Sequence, residues 1–285
     1  IDMIEKLAID PNANAGVKTG FPTLDKMTNG FKSGELIIIA ARPGIGKTTL
    51  AVNFAINSAL KYGKSVAMFD LEMSSLQVAQ RFICATGRVP MDSVKGGTKD
   101  QNAWATLFET KKILENSNIY IDDTTTITPA EILSKCRRLK AQSGLDMVII
   151  DYLQLMSSGK SKVESRQNEV SEMTRYLKIA ARELQVPIIL LSQLSRDIEK
   201  REGHKPQLSD LRESGAIEQD ADIVLMLHRE DYYKNDPDAE TDPESVNIAE
   251  VIVGKNRHGS TTTVKVAWNP EFTMFSTLER IKDDQ

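Results

Sequence analysis

Residues 36–50 read LIIIAARPGIGKTTL: six apolar residues, a loop with two glycines, then a lysine that opens a helix-forming stretch. An unbroken apolar run of that length is a strand buried on both faces. The run into the loop fits the phosphate-binding pattern G-x-x-x-x-G-K-[ST] with one departure, Ala41 at the first position. That departure bears only on the tightness of the first turn. The loop Arg42, Pro43, Gly44, Ile45 and Gly46 turns backbone N–H groups toward phosphate oxygens, and the following helix adds its positive end. Lys47 reaches the β- and γ-phosphates, Thr48 offers a hydroxyl to Mg²⁺, and Thr49 completes the nucleotide-binding stretch. The motif therefore implies a nucleoside triphosphate with Mg²⁺.

Outward from this loop, strands and helices alternate. Apolar runs predict strands over 35–41, 65–71, 118–122, 147–152, 187–192, 222–228, 247–254 and 261–268. Periodicity predicts helices over 48–62, 75–86, 101–115, 129–143 and 166–184. Solidly apolar strands separated by helices make an α/β fold, a mostly parallel twisted sheet flanked by helices on both faces. The last two strands have no helix between them and are expected to form a C-terminal antiparallel β-hairpin. Residues 1–8, IDMIEKLA, have helical spacing and are followed by the breaker stretch DPNANAG. This divides the chain into a linker helix and linker over 1–14 and one nucleotide-binding domain over 15–285. The chain opens on Ile1 rather than Met, as expected of a piece of a longer protein, and shows no signal peptide.

Composition narrows the class. No apolar run approaches the roughly 20 residues of a membrane span, so no membrane partner is expected. The two cysteines, Cys84 and Cys136, are far apart and read as buried thiols of a reducing compartment. Three scattered histidines and no Cys/His cluster argue against structural zinc. The net charge of −4 gives no general attraction to nucleic acid, although a local basic surface can still bind phosphates.

Two more strand ends carry chemistry. MVIIDYLQL ends an apolar run on Asp151, the carboxylate a phosphate-binding loop needs on the magnesium side. The next residue, where many such ATPases have a Glu, is Tyr152. The base that activates water must come from elsewhere. VAMFDLEMS supplies Asp70 and Glu72, which strand alternation would put on one face. Glu72 is the candidate base and Asp70 the structural partner. IILLSQLS delivers Gln193 to the same edge, where an amide can sense the γ-phosphate or simply satisfy the strand end.

Taken in order, TGFPTLDKMTNGF, ARPGIGKT, LEMS, IYIDD, KCRRLK, VIIDYLQL, SQLSR, LRESGAIEQDADIV and KNRHG resemble the bacterial replicative helicase family DnaB, in its RecA-type C-terminal motor domain. The resemblance covers nearly the whole chain. It implies a RecA-like P-loop NTPase that assembles as a homo-hexamer, encircles single-stranded DNA and unwinds duplex by ATP-driven translocation. By position it assigns Lys47 and Thr48 to nucleotide and Mg²⁺, Glu72 as catalytic base, Asp151 as the metal-side acid and Gln193 as γ-phosphate sensor. Arg81 becomes a nucleotide-side residue. Arg212, Glu213 and Gly215 match positions that contact the DNA backbone. Residues 1–8 match a linker helix that packs on the adjacent subunit. Primase and a helicase loader are the implied protein partners, primase mainly through an N-terminal domain that is not among these residues. The implied location is the cytoplasm, at the nucleoid.

VIVGKNRHGSTTTVKVAW, residues 251–268, brings Lys255, Arg257 and His258 to a hairpin tip between Gly254 and Gly259. Such a tip can be a solvated turn, touch DNA phosphates or reach an ATP. The planar fork of Arg257, Lys255 two residues away on the same face, and the close approach glycine allows favour ATP. The resemblance agrees, since KNRHG matches a finger whose Lys and Arg enter the neighbour's nucleotide site. His258 reads as a turn residue. A loop offering Arg212 and backbone amides suits sequence-neutral contact with phosphates, while pairing of Arg212 with Glu213 or Asp210 is the rival. Two rival functions share the fold: a RecA/RadA-like recombination ATPase, and a regulatory ATPase that never meets nucleic acid.

Overall fold

A computed structural model describes residues 15–97, 100–158, 165–211, 215–233 and 247–278. Among the described residues the strands are β1 Leu36–Ala41, β2 Val66–Asp70, β3 Ile119–Asp122, β4 Met147–Asp151, β5 Ile188–Gln193, β6 Ile223–His228, β7 Ile248–Asn256, β8 Thr263–Asn269 and β9 Met274–Thr277. They form one sheet in the order β3-β2-β4-β5-β1-β6-β7-β8-β9. The pairs from β3 to β6 are parallel. From β6 onward every pair is antiparallel.

Period-two alternation gives β1 two buried faces. Ile37, Ile39 and Ala41 pack into a layer with Leu50 and Phe54 of the helix Lys47–Ile56. Leu36, Ile38 and Ala40 pack with Ile132 and Cys136 of Pro129–Ser143 and with Met173 and Leu177 of Arg166–Leu184. All six β1 residues are buried. This is why the run carries no polar alternation. The start of the helix Pro129–Ser143 is set by its own residues. Pro129 is its first residue, and Thr128 and Glu131 form a reciprocal capping box, with the Thr128 N–H donating to Glu131 Oε2 at 2.8 Å.

Three expectations need correction. The helix expected over 48–62 is α-helical only to Ile56 and widens into a π-turn over Asn57–Lys61. There Asn57 and Ser58 donate to the carbonyls of Thr19 and Lys18, which holds the turn against the chain preceding β1. The C-terminal hairpin is longer than two strands, because the chain folds back once more as β9. And β2 stops at Asp70, so Glu72 lies on a bend rather than on the strand. The expected helix over 1–8 lies outside the described residues.

Candidate functional site

The C-terminal ends of the parallel strands converge on a cavity of about 340 Å³. Arg42, Pro43, Gly44, Gly46, Lys47, Thr48 and Thr49 form one wall. Glu72, Arg81 and Gln193 arrive from other elements. These expected site residues thus meet around one space. Ile45 does not line the cavity, since its side chain is in the core.

Local sequence explains the loop. Gly44 and Gly46 have φ of 79° and 114°, the left-handed region that glycine tolerates. A Cβ on Gly46 would sit 2.9 Å from the Phe275 ring of β9. β9 is held there by the Phe275 N–H, which donates to Asn53 Oδ1 at 2.6 Å, inside the helix that Lys47 opens. Among the described residues no side chain caps the N-terminus of that helix. Its first N–H groups keep their hydrogen-bonding capacity for an anion.

Behind the loop, Asp151 is buried. One oxygen accepts the Lys47 ammonium at 2.7 Å and the other accepts the Thr48 hydroxyl. Lys47 also lies 4.7 Å above the Tyr152 ring. A hydroxyl and a carboxylate side by side are hard oxygen donors. That set fits Mg²⁺, which keeps most of its waters and takes few protein ligands. Among the described residues no cluster of three or more His, Cys, Asp or Glu could hold a metal by itself.

Asp70 and Glu72 part company at the end of β2. Asp70 is fully buried, and its Oδ1 accepts the N–H groups of Glu72 at 3.0 Å and Met73 at 2.7 Å. Its Oδ2 has no hydrogen-bond partner among the described residues. Burial pushes the Asp70 carboxyl up to about 6, against the N–H bond from Met73, and neighbouring Asp151 adds to the rise. Glu72 lines the cavity, on the bend after β2. The alternation expected to align the two side chains does not apply, because the bend between them turns Glu72 outward while Asp70 holds the bend from beneath.

The remaining candidates have definite partners. Arg81 approaches the Thr49 hydroxyl at 3.4 Å. The Arg42 guanidinium points away from its loop, to Glu199 at 2.6 Å and the Leu194 carbonyl at 3.0 Å. Sequence reasoning missed Tyr152, Met73, Trp268 and Thr273, which also line the cavity. Trp268 packs against Phe275 at 4.7 Å and carries Arg229 at 4.7 Å over its ring. No local pattern marks Trp268 or Thr273, since only the return of β9 brings them to the loop.

Lys255 and Arg257 are elsewhere. Lys255 is paired with Val224 and Asn256 with Ile223, at the start of β6. Ile223 is level with Ile37, at the start of β1. The tip is therefore at the opposite end of the sheet from the loop after Ala41. A bulge between Val224 and Leu225 leaves Gly254 as the extra residue of β7. A Cβ there would lie 2.5 Å from Met226 Cε, the flexible end of a side chain that would have to move aside. Lys255 donates to the Glu218 carbonyl and Arg257 to the Gln219 carbonyl, both on the helix Gly215–Asp220. Burial pulls the Lys255 ammonium down, and the neighbouring Arg257 charge adds to the effect. Gly215 opens that helix, while Arg212 and Glu213 lie outside the described residues. Asp210, one proposed partner for Arg212, is engaged by Arg201 through two bonds of 2.8 and 2.9 Å.

Known proteins share this architecture. Residues 16–277 match the family model described as DnaB-like helicase C terminal domain. The chain is 50% identical over 284 residues to replicative DNA helicase DnaC of Bacillus subtilis (strain 168). It is 49% identical over 284 residues to replicative DNA helicase DnaB of Geobacillus stearothermophilus. Both matches cover 99% of this chain, which spans 61% of the length of each relative. Among solved structures, one isolated ATPase domain superposes with a TM-score of 0.90 at 39% identity, covering 98% of this chain and 96% of that one. A DnaB-like replicative helicase, whose structure is described together with its interactions with primase, superposes with a TM-score of 0.89 at 39% identity. It covers 98% of this chain and 65% of that one.

Proposed function

We propose, since the chain belongs to the DnaB-like helicase C-terminal domain family, that it is the motor of a replicative DNA helicase. In this reading it hydrolyses ATP with Mg²⁺ and moves along single-stranded DNA as part of a hexameric ring.

One observation carries the reading: the phosphate loop and the basic tip occupy opposite ends of the sheet. Ile37 and Ala41 are four residues apart along β1, roughly 13 Å at strand rise, and the loop lies beyond Ala41. Lys255 and Arg257 turn away from it, onto the helix Gly215–Asp220. They cannot serve the chain's own nucleotide. A second copy, set head to tail, would bring them to the open side of the next cavity. Head-to-tail contacts that close make rings.

Each residue then has a task. N–H groups of Arg42, Gly44, Ile45 and Gly46 bind the phosphates; Pro43 has none to give. Lys47 leaves Asp151 for the β- and γ-phosphates. Thr48 and Asp151 hold Mg²⁺, which offsets the negative charge on the phosphates. Glu72 takes the proton of the attacking water, and its place on the cavity wall leaves room for that water. Gln193 contacts the γ-phosphate. Thr49 and Arg81 lie on the nucleotide side. Lys255 and Arg257 of the adjacent subunit stabilise the charge that develops on the transferred phosphoryl group. Arg212, Glu213 and Gly215 face DNA phosphates, which gives little sequence preference and a marked salt dependence. Primase and a loader are the protein partners by family. Among the described residues no helix is long and apolar enough to cross a membrane, and the reading puts the protein in the cytoplasm with the chromosome.

The test is the ATP hydrolysis rate per subunit against protein concentration, with and without a single-stranded oligonucleotide. A rate that climbs with concentration and climbs again with DNA supports a motor whose fingers act between subunits. A flat rate indifferent to DNA would replace this reading with a regulatory ATPase.

A further inference from the structure

Asp222 sits where three elements meet at the finger end of the sheet. Its side chain is 5% exposed. One oxygen, Oδ2, accepts the Leu36 N–H at 2.7 Å, where β1 begins, and the Lys178 ammonium from the helix Arg166–Leu184. Lys178 also donates to the Gly34 carbonyl at 2.8 Å. The other oxygen, Oδ1, lies 3.5 Å from Arg257 Nη1. The Asp222 carbonyl accepts the Arg257 N–H at 2.9 Å. Arg257 Nη2 donates to the Gln219 carbonyl three residues earlier.

We propose that Asp222 is a positioning residue for Arg257, fixing the plane of its guanidinium from behind and tying it to β1, the strand that ends in the chain's own phosphate loop. The inference rests on the finger reading of Arg257 given above. One guanidinium nitrogen donates to a carbonyl and a second lies within ion-pair distance of a buried carboxylate of the same chain before any phosphate of a neighbour is met. The fork is therefore oriented in advance, and orientation is what an exposed arginine otherwise lacks. The carboxylate reaches this position because Asp222 precedes β6, which is hydrogen-bonded to β1 on one side and to the finger strand β7 on the other. One side chain thereby joins the donor of one site to the strand that supports the next site. Asp222 itself touches no nucleotide.

A purely structural role would run through Lys178 and Leu36 alone. Variants separate the two roles: Arg257→Ala, Asp222→Asn, Lys178→Met and the double Asp222→Asn/Lys178→Met. The double removes the buried lysine together with the carboxylate charge, so it keeps the fold even where Asp222→Asn alone loses it. Each is made in the full-length protein. ATP turnover, fluorescent-nucleotide affinity and turnover after mixing with Lys47→Ala chains are then measured. Lys47→Ala chains have a disabled loop and an intact finger. The double variant is expected to lose turnover by about 10²-fold, the cost of misplacing a catalytic group by about an ångström, with nucleotide affinity unchanged. Lys178→Met should stay close to the unmodified rate. Mixing with Lys47→Ala chains should raise the rate of the double variant, because intact fingers then enter its sites. A double variant that turns over like Lys178→Met overturns the proposal. So does one that mixing fails to rescue while Arg257→Ala is rescued. An Arg257→Ala protein at full rate would instead overturn the finger reading beneath it.

Discussion

The two ends of β1 are built for opposite purposes. At the C-terminal end, the chain surrounds a cavity with N–H donors and one lysine, and holds that lysine against a buried carboxylate, Asp151. At the N-terminal end, Lys255 and Arg257 rest on backbone carbonyls, and the Arg257 side chain is 41% exposed. In the proposed reading the first end receives an anion and the second presents cations to a neighbour. Backbone carbonyls are weaker partners than a carboxylate for a cation, so Lys255 gives up its grip more readily than Lys47 gives up Asp151. In that reading, a chain whose two ends are too far apart to meet contributes half of two sites.

The largest effect that could break this comparison is at the presenting end. Arg257→Ala is expected to lower turnover in the assembled protein by about 10³- to 10⁵-fold, the range for an arginine supplied in trans. Nucleotide affinity, read by fluorescence titration, should hold. Turnover kept at full rate would make the tip a solvated turn and leave the two ends unrelated. At the receiving end, Glu72→Gln keeps the size of the side chain and removes its basicity. A loss of about 10²- to 10⁴-fold in kcat at saturating ATP is expected, with binding retained. If turnover survives, the base is another group, and Asp70 beneath the same bend is the next to test.

Much of this contrast was legible in the residues. LIIIAARPGIGKTTL announces strand, loop and helix because each piece is local: an apolar run, glycines where φ is positive, a lysine at the helix start. MVIID and IILLSQ likewise announce strand ends, and the structure has β4 and β5 ending on Asp151 and Gln193. What stayed hidden depends on distant parts meeting. Trp268 and Thr273 reach the cavity only because β9 returns beside Asn53. The separation of Asp70 from Glu72 follows from one carboxylate capping its own bend, which alternation along a strand cannot express. That Arg257 sits far from its own loop follows from β7 running antiparallel to β6, and the pairing of β6 with β1 that fixes this is not written in any single segment.

Two smaller changes sharpen the receiving end. The first, Gly46→Ala, forces a side chain into a φ of 114° and toward the Phe275 ring, at a cost of about 1–3 kcal/mol. Nucleotide affinity should fall by roughly tenfold or more while the finger end is untouched. Affinity unchanged in titration would mean that the loop adapts and that its shape is not what receives the phosphates.

The smallest expected effect concerns acid. His228 ends β6 on the receiving side, is 2% exposed and stacks on Tyr233 at 5.8 Å. Burial pulls its imidazole below the usual histidine range, against the nearby Glu250 charge that favours protonation. The folded chain thus holds the ring neutral, while the unfolded chain takes up a proton near pH ~6.5. Stability from this group is present above that pH and is lost as the pH falls through it. Thermal unfolding followed from neutral to mildly acidic pH should therefore show acid costing the unmodified chain more Tm than it costs a His228→Phe variant. The difference between the two slopes isolates His228, because Asp70 and Glu35, both held above the carboxylate range chiefly by burial, titrate in both proteins. Equal slopes would mean that water or Glu250 stabilises the imidazolium in place, and that the receiving end is less dry than its packing implies.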